Sequence, residues 1–210
     1  MNKPTNKIYI IGIGPGHPDY VLPIAHRIIM QSDLLIGGER NLETFPDFNG
    51  RKIVIKKDLA ALVELMKQEM ESKEIALIVS GDTGFYSMLS YMKKHFTEEE
   101  IEVIAGISSV QYLFAKIKEP WQQVPLMSLH GRREDFITAL KEQSKVALLT
   151  DQKHTPDEIA RELIQEGLGE VQMVVGENLS YEEERLSRGT PEEIISLAPY
   201  QMSVVVIKNE

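Results

Sequence analysis

Two periods of apolar residues alternate along this chain. Short runs rich in Ile, Val and Leu punctuate its first half at Lys7–Gly12, Asp33–Ile36, Lys52–Ile55, Ile75–Val79 and Ile101–Ile104. Their length and β-branching predict buried strands. Between them apolar positions recur every three or four residues, most clearly over Leu59–Met70, where Leu59, Leu62, Val63, Leu65, Met66 and Met70 make one face of a helix. Strand alternating with helix predicts a βαβ series and a mostly parallel sheet. The pattern breaks at Lys116–Pro125, which holds two prolines and the only tryptophan. This stretch reads as a linker between domains, with an ordinary long loop as the other reading. Beyond it, Val124–Leu129, Val146–Thr150, Val171–Val175 and Ser203–Ile207 predict further strands. Thr155-Pro156-Asp157-Glu158 and Thr190-Pro191-Glu192-Glu193 each place Thr at the N-cap, Pro at N1 and Glu at N3, which predicts two capping boxes. Gly167 suits the position just past the first of these helices. The charged stretch 181–188 reads as an exposed hairpin or loop, and Glu182–Glu184 as a solvated face. The expectation is an α/β protein of two α/β domains, residues 1–117 and 122–210.

Three of the first-half strands run straight into glycine-bearing loops: Gly12-Ile13-Gly14-Pro15-Gly16, Ser80-Gly81-Asp82-Thr83-Gly84-Phe85-Tyr86 and Ala105-Gly106-Ile107-Ser108-Ser109. Loops that leave the carboxyl ends of parallel strands line one crevice. Glycine lets main chain come close where a Cβ would clash, so the three together imply a ligand that approaches backbone. The first loop departs from the dinucleotide fingerprint, because His17 stands where its last glycine belongs. Pro15 also removes an amide that a phosphate site would use. The loop fits a methyltransferase-type GxGxG spacing, or a tight turn with no ligand. Asp82 is suited to accept from an amine or a ribose hydroxyl, or to cap a helix over Phe85–Phe96. Phe85 and Tyr86 offer flat faces to a ring system or to the core. Ser108 and Ser109 offer hydroxyls and free amides, or a helix cap.

Composition narrows the classes. Thirty-two acidic against 23 basic side chains give a net charge of −9, which argues against general nucleic-acid binding. The absence of cysteine excludes disulfides, thiolate metal sites and cysteine nucleophiles. No apolar run reaches the roughly 20 residues of a membrane span. The start, Met1–Lys7, is short and polar rather than signal-like, so a soluble cytoplasmic protein without a membrane partner is expected. The five histidines are scattered, and no metal site is expected from them.

With the sequences GIGPGHPDYVLP, SGDTGFYS and AGISSVQ in this order and spacing, the whole chain resembles the tetrapyrrole methylases. That family uses S-adenosylmethionine to methylate carbons of porphyrin and corrin precursors. The resemblance implies two α/β domains with the cofactor cleft between them, and a homodimer. Within the family, IGGERNL (Ile36–Leu42) and SLHGRRED (Ser128–Asp135) look like the branch that methylates C5 of a corrin precursor. The end of the chain at Glu210 implies that a C15-methylating decarboxylase is a separate protein. There are departures: Thr83 and Ala105 replace two motif prolines, Leu22-Pro23 replaces a Leu-Thr pair, and Gly38 stands where the uroporphyrinogen methylases carry an aspartate.

Carried over motif by motif, the resemblance implies cofactor contacts from Pro15, Gly81, Asp82, Phe85, Ser108, Ser109, Thr150 and Glu177. It implies contacts to the corrinoid acceptor from Gly14, Gly16, Arg40, Tyr86, His130 and Arg132. Arg40 and the His130–Arg133 stretch also suit the acceptor's carboxylates on chemical grounds, because an acidic protein must supply cations locally. Solvent-facing arginines and a structural His130 are the plainer readings. No catalytic residue is assigned, since methyl transfer from a sulfonium depends chiefly on orientation. Two competing readings remain: a family member acting at another precorrin position, and a nicotinamide-binding oxidoreductase that uses Glu39 after the second strand. A fold retained for ligand binding without catalysis is a third.

Overall fold

The β-branched runs of the first half become parallel strands, as their period demands. The computed structural model describes residues 7–131 and 134–209. Strands β1 (Ile8–Gly12), β2 (Leu34–Gly37), β3 (Arg51–Val54), β4 (Ile75–Val79) and β5 (Ile101–Ile104) form one sheet in the order β3-β2-β4-β1-β5. Every pair is parallel, and Ile8 of β1 lies opposite both Ile75 and Ile101. Alternate residues serve opposite faces. Ile8, Ile10, Leu34, Ile36, Ile75 and Leu77 pack with Leu62, Val63 and Met66 of α3 (Leu59–Glu69). Ile11, Leu35, Ala76 and Ile78 pack with Ala25 and Ile29 of α1 (Pro23–Gln31) and with Leu42 of the short α2 (Glu39–Glu43). Helix α3 starts where Asp58 Oδ1 accepts the Ala61 N–H at 2.9 Å.

The helix expected over Phe85–Phe96 shrinks to α4 (Leu89–Met92). Tyr86 stands at φ 49°, which breaks α geometry. The Ser87 hydroxyl donates back to the Thr83 carbonyl and accepts the Leu89 N–H at 3.2 Å. Residues 85–88 therefore belong to the loop.

The second sheet is mixed. Strands β6 (Leu126–Ser128), β7 (Lys145–Leu149), β8 (Gln172–Glu177), β9 (Arg185–Gly189) and β10 (Ser203–Lys208) lie in the order β6-β7-β10-β8-β9. Only β6 and β7 run parallel. Helices α6 (Phe136–Gln143), α7 (Pro156–Gln165) and α8 (Pro191–Ser196) build its core with Leu140, Ile159, Leu163 and Ile194 against Val146, Val175 and Val205. The charged stretch 181–188 forms a hairpin, the first of the expected alternatives: 181–184 make the turn, and β9 returns antiparallel to β8. Glu184 of that stretch is largely buried and pairs with Lys116 at 2.6 Å, so this part of the acidic run is not a solvated face.

The chain divides into two compact units, Met1–Ser108 and Ser109–Glu210, earlier than the expected boundary at residues 117–122. Helix α5 (Ser109–Ile117) therefore belongs to the second unit. Its buried Val110, Leu113, Phe114 and Ile117 give it an apolar face, and Leu113 abuts Gly176 of β8. The Pro- and Trp-bearing stretch after it is a loop of that same unit. Glu119 fastens it by pairing with Lys145 at 2.9 Å and with Lys208. No helix among the described residues is long and apolar enough to cross a membrane.

Of the two expected capping boxes only one closes. At α8, Glu193 accepts the Thr190 N–H at 2.8 Å while the Thr190 hydroxyl accepts the Glu193 N–H at 3.4 Å. At α7 the Thr155 side chain makes no cap bond, and the Glu158 carboxylate turns to Arg161 at 3.3 Å instead. Gly167 ends α7 at φ +75°, with Leu168 N–H on Leu163 O at 2.8 Å and Gly167 N–H on Ile164 O at 3.1 Å, a Schellman turn. Thr190→Ala is expected to cost about 1 kcal/mol of stability in urea unfolding, and Thr155→Ala clearly less, because only the first removes a cap bond.

Candidate functional site

Strands β4, β1 and β5 are neighbours, so the three glycine loops leave the same edge of the first sheet side by side. They meet main chain to main chain. Gly14 and Gly81 form a two-bond bridge, Gly14 N–H to Gly81 O at 3.2 Å and Gly81 N–H to Gly14 O at 2.7 Å. A Cβ on Gly12 would fall 2.6 Å from Gly81 O and 2.8 Å from Gly106 N, and one on Gly106 would fall 2.2 Å from Gly81 O. Gly81 itself stands at φ +71°. These glycines are thus required by one another. They let the loops converge, a service separate from the expected close approach of a ligand to their backbone.

Asp82 locks the convergence. Its Oδ1 accepts the Gly84 N–H at 2.8 Å and its Oδ2 accepts the Gly106 N–H across to the third loop at 3.0 Å. It does not cap a helix over Phe85–Phe96. Each carboxylate oxygen has a second lone pair, and the residue is half-buried. Pro15 and Gly14 are buried and Gly16 is half-buried in the first loop. Phe85 is half-buried with its ring edge-on to Tyr86 at 4.8 Å, and Tyr86 is 39% exposed. Ser108 is buried, and Ser109 opens α5. His17 caps a 3-10 turn at residues 18–20 by accepting the Asp19 N–H at 3.2 Å.

A fourth loop joins this edge. After β2, Arg40 lies exposed on α2, and Asn41 Oδ1 accepts the Ser80 hydroxyl at 2.9 Å. The other end of α2 is held by Lys52 Nζ, which donates to Phe45 O at 2.6 Å and Leu42 O at 3.3 Å. Asn41 was not singled out from sequence; its only signal is its place inside GGERNL.

The second unit has its own cavity of about 910 Å³ at the ends of β6 and β7, lined by His130, Gly131, Thr150, residues 151–155 and Tyr200, Gln201 and Met202. Its organiser is Asp151, which the sequence reading missed. Asp151 accepts N–H groups from Gly131 at 3.0 Å, Lys153 at 2.9 Å and His154 at 2.8 Å, and contacts His154 Nδ1 at 3.0 Å. The Gly131 N–H foremost, then those of His154 and Lys153, hold its carboxyl far below the ordinary 3.8. An aspartate followed by a polar turn after a strand is the signal that could have found it. Thr150 donates its hydroxyl to Ser203 O at 2.7 Å. Tyr200 donates to Ile194 O at 2.7 Å, and burial pushes its phenol up to about 12, so it remains a neutral donor.

Glu177 is buried at the end of β8 with both oxygens engaged, one by Arg185 and one by the Gln201 N–H at 3.0 Å. It does not line the cavity but holds the Gln201 turn that does. Arg132 lies outside the described residues.

Comparison with known proteins adds independent findings. Residues 7–195 match the model of the family described as tetrapyrrole (corrin/porphyrin) methylases. The chain is 38% identical over 201 residues to a cobalt-precorrin-7 C(5)-methyltransferase of Salmonella typhimurium, covering 96% of this chain and 98% of that protein. The precorrin-6Y methylase structure from Archaeoglobus fulgidus superposes with a TM-score of 0.76 at 22% identity, over 97% of this chain and 98% of the other. The uroporphyrin-III C-methyltransferase of Thermus thermophilus, solved with S-adenosylhomocysteine, gives a TM-score of 0.74 at 19% identity over 97% and 92% of the two chains.

Two outcomes are expected from this geometry. Gly106→Ala forces a Cβ into the Gly81 carbonyl and is expected to cost about 3 kcal/mol or more in denaturant unfolding. Asp151 is depressed when folded, so its contribution is present above the ordinary carboxylate value and fades as pH falls through its native one. Asp151→Asn should lower the melting temperature at neutral pH, and scanning calorimetry should find the gap to wild type closing below pH 3.8.

Proposed function

This chain belongs to the tetrapyrrole methylase family, and on that premise we propose that it methylates C5 of cobalt-precorrin-7 in cobalamin biosynthesis with S-adenosylmethionine as donor. The observation that carries the reading is the 38% identity to a C(5)-methyltransferase across nearly the full length of both chains. Of the two segments that resemble the C5 branch, IGGERNL runs from the end of β2 into α2 beside the glycine loops, and the described part of SLHGRRED starts at the end of β6, with His130 and Gly131 at the second-unit cavity.

The residues present fit the donor. Asp82 keeps lone pairs after its two loop bonds, which suits a ribose hydroxyl or the methionine ammonium. Gly81, Pro15, Phe85 and Ser108 are the other first-unit candidates, and Ser109 follows at the start of the second unit. In the second unit, Tyr200 and Met202 give the cavity apolar surface of the kind a purine requires, and Thr150 borders it. Glu177 enters this reading as the residue that fixes the Gln201 turn. When bound, S-adenosylmethionine supplies an electrophilic methyl on a sulfonium.

The protein's part is to hold the acceptor carbon in line with that methyl and to exclude water. The acceptor carbon would give an electron pair to that methyl, the sulfonium's positive charge would pass to the ring as the donor leaves as a neutral thioether, and loss of a ring proton to water would discharge it. Arg40, His130 and Arg132 are suited to the acceptor's carboxylates, Tyr86 to its ring face, and Gly14 and Gly16 to close approach by backbone. The reading includes a cytoplasmic homodimer and a separate C15-methylating decarboxylase.

Purified protein with S-adenosylmethionine and cobalt-precorrin-7 should yield product carrying an isotopic methyl at C5. Label at another carbon, or no binding of S-adenosylhomocysteine, would overturn the assignment. Arg40→Ala should raise the acceptor KM about tenfold with little change in kcat, the signature of lost carboxylate binding.

A further inference from the structure

Glycines at the strand ends of the first sheet are demanded by their surroundings, with one exception. A Cβ on Gly12, Gly14, Gly37 or Gly106 would meet another atom at 2.6, 2.8, 2.6 or 2.2 Å. Gly38 is different. Its φ of −64° and ψ of 151° are open to any residue, and among the described residues a Cβ built on it meets only Asn41 Nδ2, at 3.9 Å. It is the N-cap of α2, where Ser, Asp or Asn would serve the helix at least as well. Backbone conformation, packing and capping therefore leave this glycine without a structural reason.

The space beside it adjoins the glycine loops. Asn41 borders that space, and its Oδ1 takes the Ser80 hydroxyl one residue before Gly81 and two before Asp82. Arg40, a cation suited to carboxylates, follows two residues after Gly38 on the same short helix. A planar macrocycle fringed with carboxylates cannot bend around a side chain standing at its edge, so a small obstruction there discriminates among rings by clash.

We propose that Gly38 determines acceptor specificity: the space left by its missing side chain admits an edge of the tetrapyrrole. This rests on the tetrapyrrole reading above. The residue acts by absence, which is why it carries no signal in hydrogen bonds or charge.

The test is a size series, Gly38→Ala, Gly38→Ser and Gly38→Leu, in the full chain. Melting temperatures of the Ala and Ser variants should equal or exceed that of wild type, since both residues fit the native dihedrals and restrict the unfolded chain. Affinity for S-adenosylhomocysteine by calorimetry should stay unchanged. The KM for cobalt-precorrin-7 should climb with side-chain size, about tenfold or more for Leu, while kcat holds. Equilibrium titration with cobyrinic acid, a corrin bearing free carboxylates, should show the same ordering without turnover. A flat series in both acceptor measurements overturns the proposal. So does unfolding of the Ala and Ser variants, which would make the glycine structural, or a matching loss of S-adenosylhomocysteine affinity, which would give the space to the cofactor. Wild-type turnover in the same assay separates these results from failure of the C5 assignment: methylation elsewhere or none overturns that assignment, while the titration series still decides the role of Gly38.

Discussion

Main-chain contact among Gly12, Gly81 and Gly106 is the constraint on which the architecture of the first unit's strand ends depends. Three adjacent parallel strands end on loops that occupy the same space to within the radius of a methyl group. Parallel strands 4.7–4.9 Å apart leave room for such loops to meet only where side chains are absent. Asp82 then converts proximity into a fixed geometry by taking one N–H from its own loop and one from its neighbour. In the proposed function the same carboxylate also faces the donor, so that structure and binding would draw on one side chain.

The second unit reaches a comparable end by different means. Its strand-end loops are gathered by buried or half-buried carboxylates rather than by glycines. Asp151 draws the loop after β6 to the loop after β7, and Glu177 draws the Gln201 turn towards Arg185. A carboxylate satisfied by several N–H donors stays ionised, and each bond removes a degree of freedom from a loop. Loops held in this way present a wall of fixed shape around the cavity, which suits an enzyme whose contribution is orientation.

The motifs identified from sequence and the side chains that organise them are different sets. GIGPG, SGDTG and AGISS were visible because composition marks them. Asn41, Asp151 and Arg185, which hold these or neighbouring loops in place, were not visible, because their partners are distant in sequence or are backbone groups. Arg185 sits in a charged stretch that reads as solvent-facing, yet it pairs with buried Glu177. The boundary between units was also misread. Pro120, Trp121 and Pro125 look like linker chemistry, but Glu119 binds that loop to two lysines brought near only by the folded sheet.

By itself the sequence determined the elements and their class: β-branched runs of four to six residues became strands, the periodic face of Leu59–Met70 became α3, and Thr190 with Glu193 closed a capping box. These outcomes rest on interactions within a few residues, which local pattern encodes. Tertiary structure alone decided that α5 joins the second unit, that the helix after Tyr86 is cut to a single turn, and that the loop glycines answer to one another rather than to a ligand alone. Each of those depends on contacts between segments far apart in the chain, where a residue's neighbours, and so its energetic role, exist only once the sheets have formed.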